Sequence, residues 1–330
     1  MKIVLPGGSG QVGTVLAQAF HDEEHEVVVL SRNPGPAPWR VVAWDGAGLG
    51  GWTRELEGAD AVINLAGRSV DCRYGRRNRR QILESRVLST RAVGAALAAA
   101  TKPPRVWLQA STATIYAHRY DAANGESRGL IGGAEPGAPE TWRFSISVAT
   151  AWERAAMEAT PPRTRLVLMR SAILMAPSPG GAFGILLRLV RWGLGGPQGD
   201  GRQWVSWIHD RDFVRAVRWL LTHEELSGPV NLAAPHPLPN ADFMGALRAA
   251  WGTRFGLPAR KWMLALGAVA LRTETELLLK SRRVVPERLL ASGFNFDFPC
   301  WEEAAVDLCC RWSERSHADA GAAGAHREAA

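Results

Sequence analysis

The run Gly7-Gly8-Ser9-Gly10-Gln11-Val12-Gly13 constrains this 330-residue chain more than any other feature. It comes directly after a short apolar run at residues 2–5. It opens a segment, residues 11–20, in which Val12, Val15, Leu16, Ala19 and Phe20 recur at helical spacing. A second apolar run at residues 26–30 closes a strand–helix–strand unit. In that setting Gly7 and Gly10 allow a tight turn and close backbone approach to a pyrophosphate, while Gly13 lets helix and strand pack closely. The phosphates then meet the N–H groups and the positive end of the first helical turn. The competing reading is a glycine turn that merely joins strand to helix.

The residue at the end of the second strand selects the cofactor. An acidic residue there would hydrogen-bond a ribose 2′-hydroxyl and favour NAD(H). The chain offers Ser31 and Arg32 instead. A guanidinium pairs with a 2′-phosphate and stacks on adenine, so the expectation is NADP(H). The plainer alternative makes Arg32 a solvated loop residue.

Further along, strands are expected at residues 41–43, 61–65, 105–110 and 165–170, with a long helix over 76–100, stopped by Pro103-Pro104, and another over 142–159. Residues 49–56 read as a poor helix. Strands alternating with helices at this spacing predict an α/β Rossmann fold, a doubly wound parallel sheet. Residues 117–140 form a long, glycine-rich loop of the kind that is usually functional or mobile. Beyond Ala176 the pattern predicts a smaller, mostly helical substrate region. It has helices over 183–192, from an Asp210 cap to 221, and from Asn240 or Asp242 to 251, a strand at 229–232, and short helices broken by Gly256, Pro258, Pro286 and Pro299. The expected organisation is a cofactor-binding domain at 1–235, a small domain at 236–315 and a disordered tail at 316–330.

Composition narrows the partners. A hydrophobic fraction of 46% with 22% charged residues is that of a soluble globular protein, and no apolar run approaches the ~20 residues of a membrane span. The first residues lack the apolar core of a signal peptide, so a cytoplasmic location is expected, with no membrane partner. The net charge of +7 is carried almost wholly by arginine, since lysine stands only at 2, 102, 261 and 280. The densest cluster, Arg73, Arg76, Arg77, Arg79 and Arg80, reads as a solvated helix start or the rim of an anionic-cofactor site rather than a nucleic-acid patch. Cys72, Cys300, Cys309 and Cys310 match no zinc spacing and read as structural thiols, so no metal is expected. Oligomeric state is left open.

These motifs, with others in the same order, resemble an atypical extended short-chain dehydrogenase/reductase, of an epimerase-like family with a small C-terminal domain. The other markers are Trp44-Asp45-Gly46, Asn64-Leu65-Ala66-Gly67, Ser85-Arg86, Trp152-Glu153, Arg170-Ser171, Gly195-Gly196-Pro197, Trp207-Ile208-His209, and Val285-Pro286-Glu287-Arg288 with Gly293-Phe294 after it. The resemblance spans about residues 1 to 308. It implies that Leu65 and Ala66 line the nicotinamide side of the groove, that Arg86, helped by Gln81, reaches the cofactor, and that the backbone near Leu174 borders the nicotinamide. On physical grounds alone Arg86 is equally a surface helix residue. Trp207 and His209 either line the substrate cleft or are a packed indole and a satisfied histidine.

Short-chain dehydrogenases normally carry a Tyr–x–x–x–Lys pair, one helical turn apart, in which lysine lowers the tyrosine pKa for proton exchange with substrate. That pair is absent. Four residues after Tyr74, Tyr116 and Tyr120 stand Asn78, Tyr120 and Asn124, and Ser145 and Ala149 occupy the register where the pair would fall. Ser111 and Tyr116 remain as candidate catalytic residues at the end of the fifth strand, against readings as a polar strand end and a packed ring. The expected function is an NADP(H)-binding epimerase or oxidoreductase acting on an unidentified small carbonyl or sugar-like substrate. The alternative is a non-catalytic NADPH-binding regulatory or redox-sensing protein.

Overall fold

The computed structural model describes residues 1–259 and 276–328. Its centre is a sheet of seven parallel strands in the order β10-β6-β5-β4-β1-β2-β3. The strands are β1 (Lys2–Pro6), β2 (Glu26–Ser31), β3 (Arg40–Ala43), β4 (Ala61–Asn64), β5 (Val106–Thr112), β6 (Arg165–Ser171) and β10 (Gly228–Leu232). Apart from the edge strand β3, which is partly exposed, short, continuous runs of branched apolar residues form them because both faces are buried. In β1, Ile3 and Leu5 join one core and Val4 the other. The first core lies under α1 (Gln11–Asp22) and α5 (Asp210–Thr222), through Leu16, Phe20, Phe213, Val217 and Leu220. The second lies under α2 (Arg76–Ala99) and α3 (Glu140–Ala159), through Val93, Leu97 and Ala156. The poor helix expected near residue 50 is a 3-10 turn, Gly51–Leu56, built on two indoles that both donate to the Gly48 carbonyl, Trp44 at 3.1 Å and Trp52 at 3.0 Å.

The sheet order reverses between β1 and β4, where both strands end beside each other. Ligands of open α/β sheets bind outside the carboxyl ends of the strands at such a switch point. The glycine turn after β1 and the Asn64–Gly67 stretch after β4 meet there.

The remaining elements lie outside this sheet. They are the paired β7 (Ile173–Met175) and β9 (Trp207–His209), the paired β8 (Trp204–Val205) and β11 (Leu238–Pro239), and α4 (Ala182–Arg191), α6 (Asn240–Trp251), α7 (Glu276–Leu279), α8 (Glu287–Ala291) and α9 (Trp301–Glu328). A third core joins Met175, Phe183, Leu187 and Trp207 to Phe243, Leu247, Trp301 and Leu308. Residues on both sides of position 235 therefore share one core. The N-cap of α5 is His209, one residue before the expected Asp210, which is the first residue of the helix: the Arg211 N–H donates to His209 Nδ1 at 3.2 Å and to Asp210 Oδ1 at 3.1 Å. The backbone of α9 continues in helix over 316–328, where composition alone predicts a disordered tail. Lys261 lies outside the described residues.

The long loop of residues 117–140 is tied down by the C-terminal segment. The Asn124 N–H donates to Arg283 O at 2.6 Å, and the Val285 N–H returns a bond to Asn124 O at 3.1 Å. Ser127 Oγ donates to Glu287 at 2.6 Å. This strand-like zipper brings residues 276–285 against the end of β5.

Candidate functional site

The glycine turn is locked by its own backbone, with Gly7 N–H on Leu30 O at 2.9 Å and Gly8 N–H on Leu5 O at 3.0 Å. Three of its glycines, Gly7, Gly8 and Gly13, are demanded by packing. Gly7 has φ +75°, and a Cβ there would stand 2.6 Å from Ala66 Cα; at Gly13 a Cβ would stand 2.4 Å from Gly8 Cα. Gly10 differs. A Cβ there would meet only Gly7 O, at 3.8 Å, so the protein's own atoms do not require glycine. No side chain caps α1 at this position either. The space over the helix start is a cradle that a pyrophosphate would fill.

Ser31 ends β2, buried, with its hydroxyl donating to Ser9 Oγ at 3.0 Å and accepting the Asn33 N–H at 3.2 Å. It thereby pins the strand end to the glycine turn. Arg32 is exposed beside Gly46 and has no hydrogen-bond or ion-pair partner among the described residues. After β4, Asn64 is held by Gln109 (2.9 Å) and accepts the Ala66 N–H at 3.1 Å, while the Leu65 N–H reaches Pro6 O at 2.8 Å. Leu65 and Ala66 thus form the wall opposite the glycine turn. Leu174, in β7, pairs with Ile208 beyond the end of β6.

Arg86, on α2, lies over the Trp152 ring at 5.0 Å and donates through Nη1 to Arg68 O (3.0 Å) and Ile82 O (3.1 Å). Burial pulls its guanidinium down to about 10. Gln81 accepts from Arg68 Nη1, which positions the loop after Gly67.

Ser111 and Tyr116 are brought together, but in a closed buried network. Ser111 Oγ donates to Glu153 at 2.6 Å. Arg170 donates to both Glu153 oxygens at 2.8 Å and to Tyr116 Oη at 3.0 Å. Tyr116 Oη in turn donates to Asn231 at 2.9 Å. Ser111 is 7% exposed and Tyr116 2%. Burial pushes the Tyr116 phenol up, against the pull of Arg170. Burial opposes the charge on Arg170, yet the Glu153 carboxylate holds it above its usual range. This geometry secures β5, β6, α3 and β10 to one another. Trp207 and His209 are both 0% exposed; Trp207 packs edge-on to Trp301 at 5.0 Å, and His209 Nε2 meets Asp307 at 3.0 Å.

A cavity of 120 Å³ opens where these elements converge, lined by Tyr74, Arg86, Thr112, Thr114, Ser145 and Arg282 among others. Ser145, at the register of the missing tyrosine, donates to Glu276 at 2.5 Å. Arg282 donates to Thr114 Oγ1 at 3.3 Å, and Lys280 to Thr114 O at 2.7 Å. Burial, with the Arg282 charge adding to it, brings the Lys280 ammonium down to about 8.

The comparisons with known proteins agree with this geometry. Residues 3–233 match the NAD dependent epimerase/dehydratase family. The chain belongs to that family. A second match covers residues 261–308, a domain of unknown function, DUF1731. Human epimerase family protein SDR39U1 is 32% identical over 302 residues, 91% of this chain and 96% of that protein. The crystal structure of its isoform 2 with NADPH superposes with a TM-score of 0.81 at 30% identity, covering 94% of this chain and 99% of that one. Epimerase family protein YfhF of Bacillus subtilis is 28% identical over 93% of this chain and 98% of its own length. A nucleoside-diphosphate sugar epimerase from Corynebacterium glutamicum aligns with a TM-score of 0.72 at 26% identity, over 93% of this chain and 57% of that one.

For an epimerase/dehydratase family member, the glycine turn, the open Gly10 cradle and the unpartnered Arg32 fit a dinucleotide. The residues at and beside this cavity that sequence reasoning did not single out are Thr114, Glu276, Lys280 and Arg282. Thr112 and Thr114 flank the turn after β5, next to the Ser111 and Tyr116 that the sequence favours. The last three carried one available signal, a charged cluster at the end of an apolar run just before Val285-Pro286. Among the described residues no group of histidines, cysteines and carboxylates could hold a metal. No helix of the described residues is long and apolar enough to cross a membrane.

Proposed function

We propose that the chain binds NADP(H) and is an epimerase- or oxidoreductase-like protein that acts on a small carbonyl or sugar-like substrate without the Tyr–x–x–x–Lys pair. The observation that carries this reading is the combination of the open Gly10 cradle with Arg32 beside it and no carboxylate at the end of β2. The NADPH present in the crystal structure of human SDR39U1 supports it. Gly7, Gly10 and Gly13 would shape the pyrophosphate site, Ser31 and Arg32 the adenosine end, and Leu65, Ala66 and Leu174 the nicotinamide wall, with Arg86 and Gln81 at the far end of the groove. Bound there, NADPH supplies hydride chemistry. The protein's part is to orient a carbonyl and hydrogen-bond its oxygen, and the hydroxyls that line the cavity for this are those of Thr112, Thr114 and Ser145.

The second reading, a non-catalytic NADPH-binding protein, is favoured by one observation. The two hydroxyls expected to do chemistry, Ser111 and Tyr116, are spent on Glu153 and Asn231. The test is to load the purified chain with NADPH and monitor its absorbance with a panel of carbonyl compounds. Turnover that survives Ser111→Ala with Tyr116→Phe but is lost in Thr112→Val with Ser145→Ala upholds the first reading. Tight NADPH retention with no turnover across the panel upholds the second. Failure to bind NADPH removes both.

A further inference from the structure

A second, larger pocket draws on the same three stretches of chain as the small cavity: the residues after β5, the start of α3 and the segment around residues 276–282. Its volume is 680 Å³, within the range of about 300 to 1,000 Å³ usual for small-molecule sites. One wall is aromatic. The His118 ring meets Tyr120 at 5.1 Å and 84°, and Trp142 at 4.7 Å and 46°. Rings so inclined line a concavity rather than stack into a plate. Tyr120 is 42% exposed and Trp142 half-buried, which leaves ring surface for a ligand. His118 Nδ1 accepts the Ser281 N–H at 2.8 Å, which puts the ring proton on Nε2. Burial, with the Lys280 charge adding to it, holds this imidazole below its ordinary range, so the ring is neutral at pH 7.

The charges decide what such a wall takes. Glu135 and Asp200 line the pocket, and among the described residues no lysine or arginine does, in a chain of net charge +7. Glu135 is spent on the backbone N–H groups of His118, at 2.9 Å, and Gly133. Asp200 Oδ1 accepts the Arg202 N–H at 3.1 Å, and Oδ2 has no partner among the described residues. Lys280 is 1% exposed, with Nζ on Thr114 O at 2.7 Å, so its charge does not face the pocket. A phosphate or carboxylate entering here meets two like charges. An ammonium group meets the negative faces of Tyr120 and Trp142 and a carboxylate oxygen that can pair with it.

We propose that this pocket binds an organic ammonium group carried on an apolar body, with the Tyr120 and Trp142 rings as its wall and Asp200 as its counter-charge. The proposal deepens the reading above and rests on it for one point, that the cation belongs to the molecule whose carbonyl enters the smaller cavity. Such a substrate has a carbonyl at one end and a positive charge at the other. The pocket itself uses none of the residues assigned to NADP(H).

The test is a ligand-observed NMR titration of the full chain, with and without saturating NADPH, using choline, its neutral carbon isostere 3,3-dimethylbutan-1-ol, glucose and uridine diphosphate. Choline is expected to bind about tenfold more tightly than the isostere, the size of a partly desolvated cation–π contact. Trp142→Leu and Asp200→Asn should each cut that ratio to about threefold or less, and Trp142→Phe should keep most of it. Asp200 is exposed, and asparagine still accepts the Arg202 N–H, so that variant removes the charge and leaves the turn in place. Equal binding of choline and the isostere overturns the proposal, as does no detectable binding of choline. So does tighter binding of glucose, or of uridine diphosphate with NADPH already bound. A choline preference that survives both Trp142→Leu and Asp200→Asn places the cation elsewhere and overturns it too. If the chain fails to bind NADPH but keeps a choline preference that depends on Trp142 and Asp200, the cofactor reading falls and the cation pocket stands.

Discussion

Arg32 carries a guanidinium with no partner among the described residues, at the place where a carboxylate would read a ribose hydroxyl. Arg32→Glu should weaken NADPH binding by roughly 10- to 100-fold, the value of a charge-assisted hydrogen-bond pair, and NADH binding far less. Fluorescence titration of both nucleotides checks this; equal losses would remove the assignment. The glycine turn offers a second contrast. Gly13→Ala should cost about 1 to 3 kcal/mol in urea unfolding, because its Cβ would collide with Gly8. Gly10→Ala should leave the unfolding midpoint unchanged and still weaken NADPH binding, since only a ligand needs that space. These residues are legible in the sequence because the turn, its strand and its helix lie within a few residues of one another. The surroundings of Ser111 and Tyr116 are not legible, for the opposite reason. Their partners Glu153, Arg170 and Asn231 lie up to 115 positions away, and nothing local says that the network closes.

At the level of elements, α3 shows what a missing motif leaves behind. Its face toward β5 presents Glu153 to Ser111 and Arg170, and Ser145 to Glu276, so the helix that would carry a Tyr–Lys pair serves as a dock. Glu153→Gln should destabilise the protein by about 3 to 5 kcal/mol, since it strands the buried Arg170, and a thermal or urea midpoint reads this directly. The junction of α5 and α9 is a second dock. Arg311 donates to both Asp210 oxygens, at 2.8 and 2.7 Å, and His209 Nε2 meets Asp307. Burial holds His209 below the ordinary imidazole range, despite both carboxylates. A base depressed in this way takes up more protons when unfolded. Its contribution is therefore complete above the ordinary pKa of about 6.5 and is lost as pH falls through it toward the folded value. His118, also lowered chiefly by burial, acts with the same sign. The urea midpoint should be flat above about pH 7.5 and fall on acidification toward about pH 5.5, less steeply in His209→Gln. A midpoint that rises on acidification would contradict this.

For the whole molecule, the doubly wound sheet is readable because apolar runs and helical spacing are local signals. A boundary at 235 has no counterpart in the core. Trp207 and Phe183 precede that position, yet they pack with Phe243 and Trp301, which come after it. A chain ending at residue 235 should expose this cluster and fail to give a cooperative unfolding transition, which calorimetry and sedimentation will show. The site is likewise assembled from both ends of the chain. The glycine turn is complete at Gly13, whereas Glu276 and Arg282, which close the small cavity, come about 260 residues later. On a ribosome adding about 5 to 20 residues per second, that separation amounts to roughly 13 to 50 seconds. The glycine turn is thus synthesised early and the residues that close the small cavity late, so a product of interrupted translation carries the turn without the core that would hold it in place.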